Sequence, residues 1–345
     1  MIKKIIKAVN VVFGNFVRVQ SRLSFDEARK YLQEISPKPK GTCYTKNKLA
    51  IQYDLHIIIP AYNAEKYIKE CLKSVFIQVS EYSVLVTVVN DGSTDQTSII
   101  LENLKKLYKG SQIDIEIINQ DNKGYSGARN TALSFIRGKY IIFLDADDVL
   151  PQDTIEVMLD TAYEYDADIL QGSWYTFTNE EKKEYRVKES GRKTGSQGYI
   201  SGYPWGKLYK YSVLENFQFP DGYWFEDTPI SFILAALPFK CISIDNIVYG
   251  YRLNSEGITS KAVYSEKSID SYWITEQCLK EFPKFKVHYD QKAYEYLLQQ
   301  SIMNAWRIRK QKRKVRESEF VLITKLMDDY FKGFHTKNAN MRKVE

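Results

Sequence analysis

Between Asp54 and Asp145, short apolar runs alternate with segments of helical spacing, and each run stops at a polar cluster. The runs 55–59, 84–89, 113–118 and 140–144 are rich in β-branched residues and too short for helices. The intervening segments 65–76, 97–108 and 128–136 repeat apolar residues at helical spacing, as in Tyr67, Ile68, Cys71, Leu72, Val75 and Phe76. Strands separated by helices of about 10–15 residues build a mainly parallel sheet with helices on both faces. Ligands of such α/β sheets bind beyond the carboxyl ends of the strands. The polar clusters that can carry chemistry stand at those ends.

The second half is less regular. Residues 168–177 are expected as a strand, 185–202 as a polar, Gly-rich stretch, and 228–237 as a helix. Strands near 241–244 and 247–251 follow, then helices near 269–282, 291–313 and 317–331. Ahead of the sheet, Ile2, Ile5, Ile6, Val9, Val12, Phe13, Phe16 and Val17 follow one helical face, with lysines mostly opposite. This amphipathic helix suits either an anionic membrane surface or packing on its own protein. Pro37 to Gly41 reads as a linker.

Charge sharpens that reading. The 345 residues carry a formal net charge of +6, yet five cations and no acid lie in 1–25, and seven cations and no acid in 307–316. Those twelve removed, 37 basic residues face 43 acidic ones, so the body is acidic and basic patches lie near its two ends. That distribution favours an anionic surface met at two places over a nucleic-acid groove through the core. No run approaches the roughly 20 apolar residues of a membrane-spanning helix. Cys43, Cys71, Cys241 and Cys278 are scattered, with no C-x-x-C, which fits reduced thiols in a cytoplasmic setting better than a zinc site. No secretory cleavage pattern follows the first apolar residues.

Four clusters carry the chemistry. Asp145–Ala146–Asp147–Asp148 ends the fourth strand, where alternate acids can converge on a hard cation such as Mg2+ or Mn2+. A solvated turn with a helix cap is the structural alternative. Asp91 ends the second strand before Gly92–Ser93–Thr94–Asp95, and can accept from ribose or base donors. Pro60–Ala61–Tyr62–Asn63 offers an aromatic face and an amide after the first strand. Lys123 and Arg129 flank a Gly-rich helix start suited to an anion. Neither dinucleotide nor P-loop glycine motifs occur.

Together, IIIPAYNAEKYIKECLKSV, VVNDGSTDQT, NKGYSGARNTAL and YIIFLDADD, in this order, resemble the nucleotide-sugar domain of family 2 glycosyltransferases of bacterial surface-glycan type. The resemblance is close over 54–173 and looser, through Trp205–Gly206–Lys207 and Phe225–Glu226–Asp227, to about residue 260. It implies a GT-A fold, inverting sugar transfer from a UDP-sugar, and Mn2+ or Mg2+. By that resemblance, Pro60, Tyr62 and Asn63 flank the base, Asp91 binds uracil or ribose, and Lys123, Arg129 and Ala146 belong to the donor site. Asp145 and Asp147 match the D-x-D pair that meets the metal and diphosphate. Glu226 and Asp227 match the E-D pair whose Asp is the general base; without the resemblance, plain helix capping would explain them. Arg252, followed by Ser255 and Ser260, matches a diphosphate-contacting motif, with Tyr251 where some relatives carry His. Trp205 and Trp224 are candidate sugar-facing rings for the acceptor, core packing being the commoner use of Trp.

The expected organisation is therefore a helical extension over 1–50, a GT-A domain over 51–265 (nucleotide-sugar half 51–150, acceptor half 151–265), and a helical C-terminal region over 266–345. The expected protein is peripheral on the inner face of the cell membrane, acts on a glycan or lipid-linked acceptor, and can form homo-oligomers. A non-catalytic partner subunit is the main rival. A nucleotidyltransferase is the lesser one, since 61–64 lack the basic, Gly-rich loop it needs.

Overall fold

The computed structural model describes residues 23–187, 191–194, 200–254 and 264–336, with 191–194 described by backbone alone. The amphipathic helix expected over 2–17, Ser255, Ser260 and part of 185–202 lie outside the described residues. The chain forms two compact units, one of Thr42–Gly222 with Leu237–Asn254, the other of Met1–Gly41, Tyr223–Ala236 and Ser255–Glu345. The first described helix, α1 (Phe25–Ile35), belongs to the latter. Its start is fixed by a capping box: Ser24 Oγ accepts from the Glu27 amide, and the Glu27 carboxylate accepts from the Ser24 amide at 2.9 Å.

The larger unit is the sheet. In chain order come β1 (Lys48–Ala61), α2 (Ile68–Phe76), β2 (Val84–Asp91), α3 (Thr97–Leu107), β3 (Ile113–Gln120), α4 (Gly124–Leu133), β4 (Phe135–Phe143), α5 (Thr154–Glu164) and β5 (Ile169–Phe177). Then follow β6 (Lys182–Tyr185), β7 (Gly191–Thr194) and β8 (Lys207–Lys210). The sheet runs β3-β2-β1-β4-β8-β5, then β9 (Lys240–Arg252) and β7, with β6 added to β5. Strands β3, β2, β1 and β4 are parallel, whereas β8 is antiparallel to both β4 and β5. Leu55, Ile57 and Ile59 of β1 and Val84, Val86 and Val88 of β2 share one core with Leu72 and Val75 of α2, Leu101 of α3 and Met158 of α5. Ile58 and Phe143 alternate to the opposite face, and α4 packs on β1, β2 and β4. Because β2 and β4 flank β1 on opposite sides, the carboxyl end of β1 is a topological switch point, where α/β sheets place their ligands.

Several elements differ from expectation, among them the helix expected over 291–313, which ends at Arg307, with the next starting at Arg313. The helix expected over 128–136 ends at Leu133, and β4 starts at Phe135, because Phe135 and Ile136 pair with Lys48 and Leu49 in an extended β1. Gly138 makes this close pairing possible: a Cβ there would stand 2.4 Å from the His56 amide nitrogen. The two strands expected near 241–251 are one, β9, with its register on β5 shifting past the exposed Asp245–Asn246. The helix expected over 228–237 is a single turn, α6 (Thr228–Phe232), followed by a 3-10 turn at Leu234–Ala236.

The second unit adds α7 (Asp270–Glu281), α8 (Gln291–Arg307) and α9 (Arg313–Phe331). Helix α7 packs on α8, α6 and α9, and α1 packs on α9. Buried Glu276 draws the start of the unit to α7, accepting from Arg29 and Lys38, both at 2.6 Å. Burial alone would raise its pKa, but those two hydrogen bonds and charges hold it down at about 2. The basic run is partly spent inside this unit: Arg307 lies over Phe225, Lys314 over Tyr31, and Arg313 pairs with Glu317. Among the described residues no helix is long and apolar enough to cross a membrane.

Candidate active site

The strand ends of the sheet unit are laced together by their own polar residues. Asn63 adopts a left-handed backbone (φ 48°), which Asn tolerates better than most residues. Its amide donates to Ser93 Oγ at 3.0 Å and its Oδ1 accepts from the Thr94 amide at 2.8 Å. Glu65 and Asp95 exchange backbone contacts across the same gap, each carboxylate accepting an amide of the other loop. The expected base-flanking residues are thus held in a rigid rim, with Pro60 buried at the strand end and the Tyr62 ring 48% exposed.

Asp91 is buried, and its Oδ1 accepts from Gln120 Nε2 at 2.6 Å and the Lys123 amide at 2.8 Å. Lys123 therefore meets this cluster through its backbone. Gly92 is required between them. Its φ is +72°, and a Cβ would stand 2.8 Å from the Asn122 amide nitrogen. Gly92→Ala is expected to lower stability by about 1–3 kcal/mol, readable as a fall in Tm.

The three aspartates after β4 have separate fates. Asp145 accepts from Arg129 Nη2 at 2.7 Å, and Arg129 is buried, with its guanidinium against the rings of Phe219 and Tyr125. Asp148 is buried and bound twice, by Tyr249 Oη at 2.6 Å and the Arg252 amide at 2.7 Å. Its pKa is pushed well up by burial and by the charges of Asp145 and Asp147. Asp147 accepts from the Asn254 side chain; burial first, then the charge of Asp145, raises its pKa. Among the described residues no ion pair neutralises Asp147. A carboxylate that is half-buried, pushed toward protonation and flanked by acids is a donor that a hard cation would relieve. In charge and donor type these residues fit a divalent ion. No group of three or more His, Cys, Asp or Glu side chains among the described residues encloses such an ion by itself.

Arg252 lies at the same strand ends. Its Nε donates to the Asp147 carbonyl at 2.8 Å and Nη2 to Glu70 at 2.6 Å, while the guanidinium packs over Phe177 and Tyr67. Glu70 and Tyr249 are residues that sequence reasoning missed, and Asp148, named within the acidic cluster, was given no role of its own. Asp148 adjoins the recognised D-x-D and had a signal; Glu70 and Tyr249 meet the cluster only through the packing of α2 and β9. Trp205 corrects the expected sugar-facing role. It is 7% exposed, stacked on Tyr203 (4.6 Å), Tyr249 (4.7 Å) and Tyr251 (5.3 Å), so its ring is core. The Ala146 side chain is likewise buried against the sheet core.

Glu226 and Asp227 belong to the other unit, immediately before α6. The Asp227 side chain makes no capping hydrogen bond, so capping does not account for it. With five residues, α6 offers little helix-dipole support to an ionised Asp227. The preceding residues are firmly held: the Trp224 amide donates to Asp270 at 3.0 Å, and Tyr223 Oη to the Pro39 carbonyl at 2.9 Å.

A sequence profile described as Glycosyl transferase family 2 matches residues 56–225. Glycosyltransferase GlyA of Streptococcus pneumoniae is 32% identical over 232 residues, which cover 61% of this chain and 32% of GlyA. The chain thus spans about a third of the length of that relative. Residues 1–349 of Staphylococcus aureus TarS, in complex with UDP-GlcNAc, superpose with a TM-score of 0.54 at 19% identity, covering 81% of this chain and 93% of that TarS segment. Mannosyltransferase PcManGT of Pyrobaculum calidifontis, bound to GDP-Man and Mn2+, superposes with a TM-score of 0.52 at 14% identity, covering 94% and 87% of the two chains. The four strand-end clusters, the mainly parallel sheet that carries them and the match over 56–225 together identify this chain as one bearing a family 2 glycosyltransferase domain of GT-A fold.

Proposed function

We propose that this chain is an inverting glycosyltransferase that moves a sugar from a UDP-sugar to a hydroxyl of a glycan or lipid-linked acceptor. The observation that carries the reading is the unequal use of the three aspartates after β4. Asp145 is matched to Arg129 and Asp148 to Tyr249, which leaves the Asp147 carboxylate without an ion-pair partner among the described residues. In this reading Asp147 holds Mn2+ or Mg2+, with Asp145 beside it, oriented by Arg129. A bound divalent ion supplies charge neutralisation for a departing diphosphate. Tyr62 and Asn63 frame the base, and the Asp91 carboxylate, braced by Gln120 and Lys123, accepts from uracil or ribose. Arg252 adds a positive charge for the diphosphate once its guanidinium exchanges Glu70, an exposed partner, for phosphate oxygens. Asp227 takes the proton of the acceptor hydroxyl as general base, with Glu226 beside it. Trp224, half-buried, remains the ring proposed for the acceptor sugar. The UDP-GlcNAc bound by TarS and the GDP-Man and Mn2+ bound by PcManGT support a nucleotide-sugar donor and a metal.

We place the protein at the inner face of the cell membrane, where exposed Lys310 and Lys312 offer charge to anionic lipid. Titration calorimetry of UDP and GDP, with Mn2+ and then with EDTA, tests the donor site. UDP binding is expected only with metal, and Asp147→Ala should weaken it by about tenfold or more. Binding of neither nucleotide by the folded protein would favour the partner-subunit reading. Unchanged binding in the variant would move the metal off Asp147.

A further inference from the structure

Phe225, two residues before Asp227, has φ +62°, a left-handed backbone that a bulky aromatic residue rarely adopts. A residue keeps such a conformation only where its surroundings over-determine it. Three contacts do so here. The Trp224 amide is held by Asp270, the Phe225 carbonyl accepts from the Thr228 amide at 3.0 Å, and the Arg307 guanidinium lies 3.7 Å from the centre of the Phe225 ring. The first two hold the main chain, one through the Asp270 carboxylate, and would serve any side chain at 225. The third is specific to an aromatic ring facing a cation.

Arg307 is itself anchored. It is the last residue of α8, half-buried, and Nη1 donates to Ser271 Oγ of α7 at 3.4 Å. Its charge is also felt by the buried Glu319 carboxyl of α9. Two helices of this unit, α8 that carries it and α7 through Ser271, therefore hold one guanidinium, and that guanidinium lies over the ring beside the Glu226–Asp227 pair.

We propose that Arg307 is a positioning residue: by clamping Phe225 in its left-handed conformation it sets the direction in which Glu226 and Asp227 leave the backbone. The first cation of the basic run thus serves the acceptor-side carboxylates, and the consequence for turnover rests on Asp227 being the general base. A reacting carboxylate displaced by about 1 Å can lose much of its effect on rate.

The test uses the full chain with 4-fluorophenylalanine placed at position 225 alone, read by fluorine NMR. Wild type should give one sharp resonance. Arg307→Ala should give a shifted, exchange-broadened or split signal with Tm nearly kept, and Arg307→Lys should restore part of the single resonance. In parallel, metal-dependent UDP release from UDP-GlcNAc and other UDP-sugars should show kcat lowered roughly tenfold or more in Arg307→Ala, with KM for donor unchanged. Phe225→Gly accepts the left-handed backbone without strain, so adding Arg307→Ala to it should cost little further. An unchanged fluorine spectrum in both Arg307 variants would overturn the clamp. So would a loss in kcat that is as large in the Phe225→Gly background as in wild type. Failure of the base assignment shows separately, as wild-type turnover in Asp227→Asn with the fluorine results intact.

Discussion

Asp227→Asn is expected to lower sugar transfer by roughly 10²–10⁴-fold while leaving metal-dependent UDP binding at the wild-type level. The substitution keeps the size of the side chain and removes its charge and its capacity to take a proton. Asp227 makes no capping bond to α6, so the substitution removes no helix cap. Its carbonyl, which accepts from the Ile230 amide at 2.9 Å, is untouched. A large fall in kcat with unchanged nucleotide affinity is the pattern of a group used in the transition state. Equal losses in both quantities would instead make Asp227 a structural residue, and no loss would remove it from the reaction.

The second large effect concerns stability and pH. Glu319 of α9 is fully buried, and among the described residues neither carboxyl oxygen has a hydrogen-bond partner. Burial raises its pKa from 4.5 to about 8, and the charge of Arg307 only partly opposes this. The folded chain therefore holds a proton that the unfolded chain releases near pH 4.5. This contribution to stability is fully present below about pH 4.5 and is lost as pH rises through about 8, with a slope near 1.4 kcal/mol per pH unit inside that window. Glu319→Gln, uncharged at every pH, should flatten the decline, so its Tm relative to wild type should climb steadily between pH 5 and about 8. Parallel Tm curves for the two proteins would show that Glu319 is ionised in the fold and paired.

Much of the sheet was legible because its signals are local. Residues 55–59, 84–89 and 113–118 are runs whose β-branched composition excludes surface helices, and each is punctuated by a polar strand end. The boundaries that failed were non-local. Nothing in the sequence at 135–139 prefers a strand over a helix until Lys48 and Leu49 supply the pairing edge. Strand β8 was unmarked for the same reason: four residues between β4 and β5 acquire their extended form from two neighbours distant in sequence.

The candidate site divides in the same way. The residue types proposed to meet a nucleotide, a metal and a proton stand at positions 62–63, 91, 145–147 and 226–227, because strand ends and turns are written locally in the chain. Their partners are not. Glu70 on Arg252, Arg129 on Asp145, Tyr249 on Asp148 and Arg307 on Phe225 are separated by 182, 16, 101 and 82 positions respectively. Trp205 shows the limit most plainly, since its ring is sugar-sized in sequence and becomes core only when Tyr203, Tyr249 and Tyr251 stack on it. Sequence alone determined which chemical groups stand at the strand ends, through short-range periodicity and turn chemistry. Tertiary structure decided which of them are neutralised, buried or left with an unpaired charge, because those states depend on neighbours that the chain brings together only on folding.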